Sequence, residues 1–288
     1  MMRKIFLSLF LFIIIAATAH NVAAQGILAK TLADSNYFPV KSNNITAIEG
    51  AFQLEVDLLK GKIEEVKEQR IEGIPFYSGK LQGQPVVLTR SGIGKVNAAL
   101  TTTLLLEHFR PKQLLFTGIA GAMNPTLHPG DIVVGKMVAH HDYGRRMPEG
   151  MMSIATKNPY YFSDNPIFFP SDSLLIAESA IAAKNIRLQS IGDYTPQIIT
   201  GTIITGDIFL ADTKLNQQLQ KQYNSDAVEM EGAAVAQICF QQKVPFIIIR
   251  SLSDSADDSA ALDFKKYGKT AAENSATFIL AILQLLKK

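Results

Sequence analysis

One repeated arrangement constrains the fold more than any other feature: a short apolar run, a turn of small or acidic residues, and then a helical pattern. The predicted strands are 45–48, 85–89, 113–117, 131–138, 198–204, 226–228 and 246–250, and the predicted helices are 51–68, 95–109, 173–185, 211–222, 230–242 and 268–287. Strands separated by helices of this length indicate βαβ units and a mostly parallel sheet. Residues 71–90, which Gly79 and Gly83 interrupt, indicate adjoining antiparallel strands instead.

Composition excludes several classes of protein. With 47% hydrophobic and 19% charged residues, the 288-residue chain can build a large core and is not expected to be disordered. The 28 basic and 26 acidic residues give a net charge of +2, and this balance disfavours nucleic acid as a partner, since phosphate neutralisation needs a basic excess. The single cysteine, Cys239, excludes internal disulfides. With one cysteine, and five histidines none of which has HExxH spacing, the sequence offers few metal ligands, and we predict no metal site.

The N-terminus has the order of a secretory signal peptide. Arg3 and Lys4 precede a 15-residue apolar run over 5–19, and small residues follow at 22–24. The run is shorter than the ~20 apolar residues that span a bilayer, although an uncleaved membrane anchor stays open as an alternative. We therefore expect a signal peptide at 1–24, an irregular leader at 25–44 and one domain at 45–288. The mature protein is expected to be exported, either periplasmic or secreted, without stable membrane association.

Five turns with glycine or acidic residues directly follow apolar runs. They read SGIGK at 91–95, TGIAG at 117–121, TGDIF at 205–209, VEMEG at 228–232 and RSLSD at 250–254. Ligands bind open α/β sheets at the carboxyl ends of the strands, which is where such turns lie. Three carboxylates stand out as candidates for chemistry: Glu55, Glu231 and Asp254. Each of them either caps a helix or meets solvent, or else lies in a pocket that tunes its pKa.

These five turns, together with GAFQLEV at 50–56, resemble the methylthioadenosine/S-adenosylhomocysteine nucleosidases of the wider nucleoside phosphorylase superfamily. The match runs in unbroken order from about Ile45 to the C-terminus. The resemblance implies a single-domain α/β three-layer sandwich, with a central mixed sheet flanked by helices, assembled as a homodimer. It also implies hydrolysis of the N-glycosidic bond of adenine nucleosides with 5′-thio substituents, which releases adenine and the thioribose. No metal or organic cofactor is implied.

The resemblance carries roles to individual residues. Glu55 corresponds to the glutamate that activates the attacking water, Asp254 to the aspartate that protonates purine N7, and Glu231 to the glutamate that binds the ribose hydroxyls. These residue types suit the reaction, because an oxocarbenium-like sugar needs a protonated leaving group on one face and an activated water on the other. The further substrate-binding candidates are Met230, Phe209 and Leu210 at the ribose and base, Ile93 and Phe264 at the 5′ group, Arg250 and Ser253 beside the acids, and Gly121.

The chain departs from the family pattern in three places. Glu49 stands where the family has an apolar residue at the end of the first strand, and Ile119 replaces a small polar residue in the glycine turn. Residues 142–172, rich in proline and aromatic residues, do not match the nucleosidase loop. A connection of this length is a lid, a binding loop or an interface, unless it only packs its own aromatics. We expect it at a subunit interface, where it adds an apolar wall to the 5′ pocket. His140, His141 and Asp142, at its start, either pack within the loop or bind a metal ion.

Two other functions stay open at this stage. Phosphorylases of the superfamily hold phosphate with an arginine in the first glycine turn, and residues 50–54 contain none. Arg90, Arg145 and Arg146 leave room for a different phosphate site and hence for phosphorolysis. The second alternative is an inactive nucleoside-binding or storage protein, since a fold does not determine function. The presence of all three carboxylates argues against it.

Overall fold

The computed structural model describes residues 42–51, 53–148, 150–160 and 162–286, so the predicted signal peptide and nearly all of the predicted leader lie outside the described residues. The strands are β1 (Asn43–Gly50), β2 (Glu64–Ile71), β3 (Ile74–Leu81), β4 (Gln84–Arg90), β5 (Pro111–Ala122), β6 (Ile132–His140), β7 (Gly144–Met147), β8 (Gly150–Ser153), β9 (Phe168–Pro170), β10 (Ile198–Thr205), β11 (Ala227–Glu229) and β12 (Phe246–Asp254). The helices are α1 (Gln53–Lys60), α2 (Lys95–Phe109), α3 (Ser173–Lys184), α4 (Thr213–Tyr223), α5 (Gly232–Gln242) and α6 (Ala260–Leu285).

The strands form a mixed sheet in the order β11-β10-β6-β12-β5-β1-β4-β3-β2, with β9 paired to β6. The pairs β4–β1, β1–β5, β5–β12, β6–β10 and β10–β11 are parallel, whereas β2–β3, β3–β4 and β6–β12 are antiparallel. Strand β11 also pairs with β5. Strands β5, β12, β6, β10 and β11 therefore form a closed ring at one end of the sheet.

Helices cover both faces of the sheet. On one face, α2 and α5 pack with strand residues such as Phe116 and Ile248. On the other face, α1, α3 and α6 pack with residues such as Leu115 and Ile249. Successive residues of a strand point to opposite faces, so the fully buried β12 supplies side chains to both cores. The predicted three-layer α/β sandwich with a central mixed sheet is thus confirmed. No helix among the described residues has the length and apolar character needed to cross a bilayer.

Most predicted elements are confirmed, and α2 has the predicted bounds. The predicted helix at 51–68 is wrong beyond Lys60, because 64–71 forms strand β2 instead. A two-residue turn at Glu72 and Gly73, with φ of 48° and 80°, joins β2 to β3 as in a type I′ hairpin. The last helix begins at Ala260, eight residues before the predicted start at 268, and Gly268 lies inside it.

Residues 142–172 have more structure than a plain connection. Strands β7 and β8 form a separate hairpin, and β9 adds a short antiparallel strand to β6. Phe169 is buried and packs edge-on against His140 and Phe240. Part of this segment therefore packs its own aromatics into the core, while Tyr143 and Phe162 stay exposed.

Candidate active site

The predicted site residues meet at the carboxyl ends of β1, β5 and β12, which pair in parallel. The end of β11, which runs antiparallel to β5, reaches the same place. Glu55 lies in the first turn of α1 and is buried. Its Oε1 accepts the N–H of Ile119 at 3.2 Å, and its Oε2 accepts the N–H of Ala51. A Cβ at Gly118 would lie 2.7 Å from Glu55 Oε1. Glycine at 118 therefore lets this carboxylate lie directly against the backbone of β5.

A buried ion pair supports the next carboxylate. Arg250 Nη2 donates to Glu229 Oε2 at 2.7 Å, and both side chains are at most 2% exposed. The same Glu229 oxygen accepts the N–H groups of Glu231 and Gly232 at 3.0 and 2.7 Å. Its other oxygen accepts the hydroxyl of Thr205. Glu229 thereby connects the end of β11, the start of α5 and the guanidinium on β12.

Glu231 is placed at the start of α5 with little exposure. Its Oε1 accepts the N–H of Gly94, from the SGIGK turn, at 2.8 Å. Burial, followed by the nearby negative charge of Glu229, raises the pKa of Glu231 to about 8, although Arg250 and the Gly94 N–H act in the opposite direction. Glu231 therefore holds its proton to higher pH than an exposed glutamate does. Hydroxyl donors from a bound sugar would favour its anionic form.

Asp254 ends β12 and is also buried. Its Oδ2 lies 2.7 Å from the hydroxyl of Ser253, and its Oδ1 accepts the N–H of Ala256 at 2.8 Å. A Cβ at Gly121 would lie 2.7 Å from Asp254 Oδ1, so this glycine is needed for the carboxyl to reach β5. Burial raises the pKa of Asp254 despite these two donors. A carboxyl that keeps its proton to higher pH suits a general acid.

Apolar residues border these carboxyls. Phe209 is 49% exposed, and its ring meets that of Phe264 edge-on at 6.3 Å between centroids. Phe264 packs with Leu54 and Ile119, beside Glu55. Leu210 is buried in a cluster that includes Ala256, next to Asp254.

Two predicted binding residues are less enclosed. Met230 is half-buried between Glu229 and Glu231. Ile93 is 54% exposed in the turn that binds Glu231 through Gly94, and no described contact ties its side chain to Phe264. Ile93 therefore does not form a closed apolar pocket with the other predicted site residues.

Sequence reasoning missed a polar network at the start of α2. Lys95 Nζ lies 2.5 Å from Asp142 and 3.9 Å from Asp207. Asp207 in turn accepts the N–H of Lys95 at 2.8 Å, and its own N–H donates to Asp142 at 2.9 Å. This network links the SGIGK turn, the TGDIF turn and the start of residues 142–172. The sequence analysis also missed that Glu229 binds Arg250 and the start of α5. Its position two residues before Glu231 could have indicated a supporting role.

The three polar residues at 140–142 have separate partners. His140 Nε2 pairs with Gln237 at 3.1 Å, His141 lies against Gly206, and Asp142 pairs with Lys95. Within the described ranges, no group of three His, Cys, Asp or Glu side chains is arranged to hold a metal ion. These contacts agree with the alternative that the three side chains pack within the protein.

Comparison with known proteins adds a family to this geometry. Residues 45–284 match the model of the phosphorylase superfamily. A 5′-methylthioadenosine/S-adenosylhomocysteine nucleosidase of Geobacillus kaustophilus is 39% identical over 246 residues, 84% of this chain and 97% of that protein. The structure of the Neisseria meningitidis nucleosidase in complex with methylthio-immucillin-A is similar, with a TM-score of 0.72 and 34% identity over 84% of this chain and all of that one. The futalosine hydrolase of Helicobacter pylori is similar too, with a TM-score of 0.72 and 27% identity over 84% and 98% of the two chains.

Proposed function

Because the chain belongs to the 5′-methylthioadenosine/S-adenosylhomocysteine nucleosidases of the phosphorylase superfamily, we propose that it hydrolyses the N-glycosidic bond of these two nucleosides. The chain is an N-glycosidic hydrolase that releases adenine from a 5′-thioribose. The observation that supports this reaction best is the placement of two carboxyls along one strand: Glu55 lies against Gly118, and Asp254 lies against Gly121. Acid and base can then act on one substrate from two directions.

The acid in this proposal is Asp254. Adenine is a poor leaving group until its imidazole nitrogen is protonated, so cleavage needs a donor that still carries a proton near neutral pH. Burial raises the pKa of Asp254, which is the direction that this role requires. Ser253 orients the carboxyl through the 2.7 Å contact with Oδ2. Leu210 and Phe209 would hold the adenine ring beside Asp254.

The base in this proposal is Glu55. Its two oxygens accept backbone N–H groups of Ala51 and Ile119, which hold the carboxylate in a fixed position to take a proton from water. Glu231 would bind the ribose hydroxyls and, once anionic, stabilise the positive charge that develops on the sugar. Arg250 does not contact the substrate in this scheme; it neutralises Glu229 behind Glu231.

Phosphorolysis has less support than hydrolysis. Arg90, at the end of β4, donates to Gln53 at 3.1 Å, and Arg250 is engaged by Glu229. Arg145 and Arg146 lie on the exposed hairpin strand β7. A phosphate would also have to approach the face of the sugar where the Glu55 carboxylate lies, and two anions there repel each other.

Hydrolysis predicts that adenine release needs no phosphate. The purified enzyme, assayed by chromatography on methylthioadenosine in phosphate-free buffer, should yield adenine and free methylthioribose at a rate that added phosphate leaves unchanged. A sugar 1-phosphate as the main product would refute the proposal, and so would binding without turnover. Futalosine, on which the similar Helicobacter pylori enzyme acts, serves as the competing substrate.

Asp254 should contribute more than any other aspartate to turnover. Asp254→Asn should lower kcat on methylthioadenosine by ~10²–10⁴-fold, the usual effect of a positioned proton donor, with the thermal unfolding curve retained. Asp193→Asn, at an exposed loop position, is the matched control and should keep the wild-type kcat. Near-normal turnover of Asp254→Asn would assign the acid to another group.

The homodimer is part of the same proposal. Ile93, just before α2, and Val96 and Leu100, in its first turns, follow helical spacing and are 54%, 79% and 52% exposed. Beside them, a cavity of about 510 Å³ lies between α2, α5 and residues 142–172, with Tyr143 in its wall. We propose that a second copy of the chain covers this surface and completes the apolar pocket for the 5′ group around Ile93. Burial at ~25 cal/mol per Å2 of apolar area favours such an interface.

The interface can be tested with two equivalent substitutions. Val96→Glu places a charge in the proposed interface and should produce monomers in light scattering, together with a several-fold higher KM for methylthioadenosine. Val66→Glu introduces the same charge at an exposed position of edge strand β2 and should change neither quantity. A wild-type monomer with full activity, or a Val96→Glu dimer with unchanged KM, would contradict the proposed interface.

Export rests on residues outside the described ranges. We propose that 1–24 act as a signal peptide and that the enzyme works in the periplasm or the medium. The basic start, the apolar run over 5–19 and the small residues at 22–24 support this proposal. Mass spectrometry of the protein from its host should find a mature chain beginning near Gln25. An intact N-terminus in a cytosolic fraction would contradict it, and an intact N-terminus in the membrane fraction would favour an anchor.

A further inference from the structure

Glu49 is a buried acid that the reaction does not use. It is fully buried in β1, directly before the Gly50 turn that leads to Glu55. Its Oε2 accepts the hydroxyl of Thr102, from α2, at 3.0 Å. Its Oε1 has no hydrogen-bond partner among the described residues. A carboxylate anion with a single neutral donor is poorly stabilised in a protein core.

The sheet register places Glu49 on the same face as Arg250. Glu49 pairs with Phe116 of β5, so both side chains leave the same face of the sheet. Two residues further along β5, Gly118 pairs with Arg250 and therefore belongs to that face as well. The guanidinium carbon of Arg250 lies 4.2 Å from the centre of the Phe116 ring. Phe116 thus lies next to both Glu49 and the charge of Arg250.

Several carboxyls share this one guanidinium. Glu229 binds it directly, and Glu55 comes close to it at Gly118, where a Cβ would lie within 3.2 Å of both side chains. Glu231 adds a further carboxyl at the start of α5. With Glu49 included, full ionisation would leave a net charge of −3 in a buried region. Such a cluster retains protons on its least stabilised members.

The elements packed around Glu49 supply few groups that could stabilise its charge. Strand β4 places Thr89 beside Glu49, but the Thr89 hydroxyl donates to the carbonyl of Pro75. Helix α2 contributes the Thr102 hydroxyl, and α5 contributes the buried, neutral Cys239 thiol. Strand β12 contributes Arg250, which is already paired with Glu229, and the start of α5 contributes Glu231, which repels an anion. Burial, the largest effect, raises the pKa of Glu49 to about 8. The contacts and the pKa therefore agree on a protonated Glu49 at neutral pH.

We propose that Glu49 is a positioning residue, which keeps its proton at neutral pH and competes with Glu231 for the charge of Arg250 once either acid ionises. Ionised, Glu49 would attract Arg250 and oppose the negative charge that Glu231 needs when the ribose binds. Glu49 therefore raises the lower pH limit of catalysis, although it does not touch the substrate. This inference rests on the proposed function of the site.

The pH dependence of adenine release tests the role of Glu49. In the wild type, Glu49 and Glu231 compete to lose a proton, which delays the ionisation of Glu231 as the pH rises. Glu49→Gln keeps an acceptor for Thr102 and removes this competition. The acidic limb of kcat/KM against pH should therefore move down by about 0.5–1 pH unit. An acidic limb that coincides with the wild type would overturn the proposal, because a purely structural role changes stability and not this limb.

Two further variants complete the series. Thr102→Val removes the donor that stabilises ionised Glu49, so it should move the limb in the same direction by a smaller amount; an opposite shift would overturn the proposal. This variant also tests the idea if Glu49→Gln does not fold. Glu107→Gln, on the exposed side of α2, is the matched control and should leave the limb unchanged.

Infrared spectroscopy separates this inference from the proposed function. The wild type at pH 7 should show a carboxylic-acid C=O band that is missing in Glu49→Gln and still present in Glu107→Gln. Absence of the band difference would overturn the proton assignment whether or not the enzyme is active. A wild type that shows the band but releases no adenine would instead refute the proposed function.

Discussion

The buried pair between Arg250 and Glu229 is the interaction on which the site depends. Both charges are out of contact with water, and a buried charge without its partner destabilises a protein by about 3–5 kcal/mol. Glu229 also accepts two N–H groups at the start of α5, where a helix presents unpaired donors and a positive dipole end. One carboxylate thereby fixes β12, β11 and α5 relative to one another. Glu231 follows two residues later, so its position depends on Glu229, a residue to which the proposed reaction assigns no chemical step.

Strand β5 provides the common surface for the two carboxyls that we propose as base and acid. Gly118 admits Glu55 from α1, and Gly121 admits Asp254 from β12, in both cases at a distance that a Cβ would not allow. Two glycines three residues apart on one strand thus determine how far apart acid and base lie. Side chains are missing at these positions because carboxyls from neighbouring elements occupy the space. This arrangement explains why a turn as common as TGIAG is part of so specific a site.

The sequence predicted the outline of this molecule because its strongest signals are local. Apolar runs, helical periodicity and the turns after each strand are properties of short segments, and they located α2 and the central strands correctly. Strand β2 was missed because its exposed, charged residues show no alternating apolar pattern. It belongs to the sheet through its antiparallel pairing with β3. The partners of Glu55, Glu229 and Glu231 could not be predicted, since these bonds join residues that are far apart in sequence. A family resemblance supplied roles for single residues but not the network around Lys95, Asp142 and Asp207.

Burial has opposite consequences for the acids of this site. For Asp254, the proposed acid, a raised pKa is useful, because the carboxyl must still carry the proton that it donates to adenine. For Glu231 the same effect works against the proposed reaction, in which its anion stabilises a positive sugar. In the proposed scheme the ribose resolves this conflict, since its hydroxyls donate to Glu231 and so favour ionisation. Binding and activation are then coupled: the site acquires its negative charge when the substrate is present to use it. Glu49 enters the same balance with the opposite sign, because every negative charge added near Arg250 makes the ionisation of Glu231 harder.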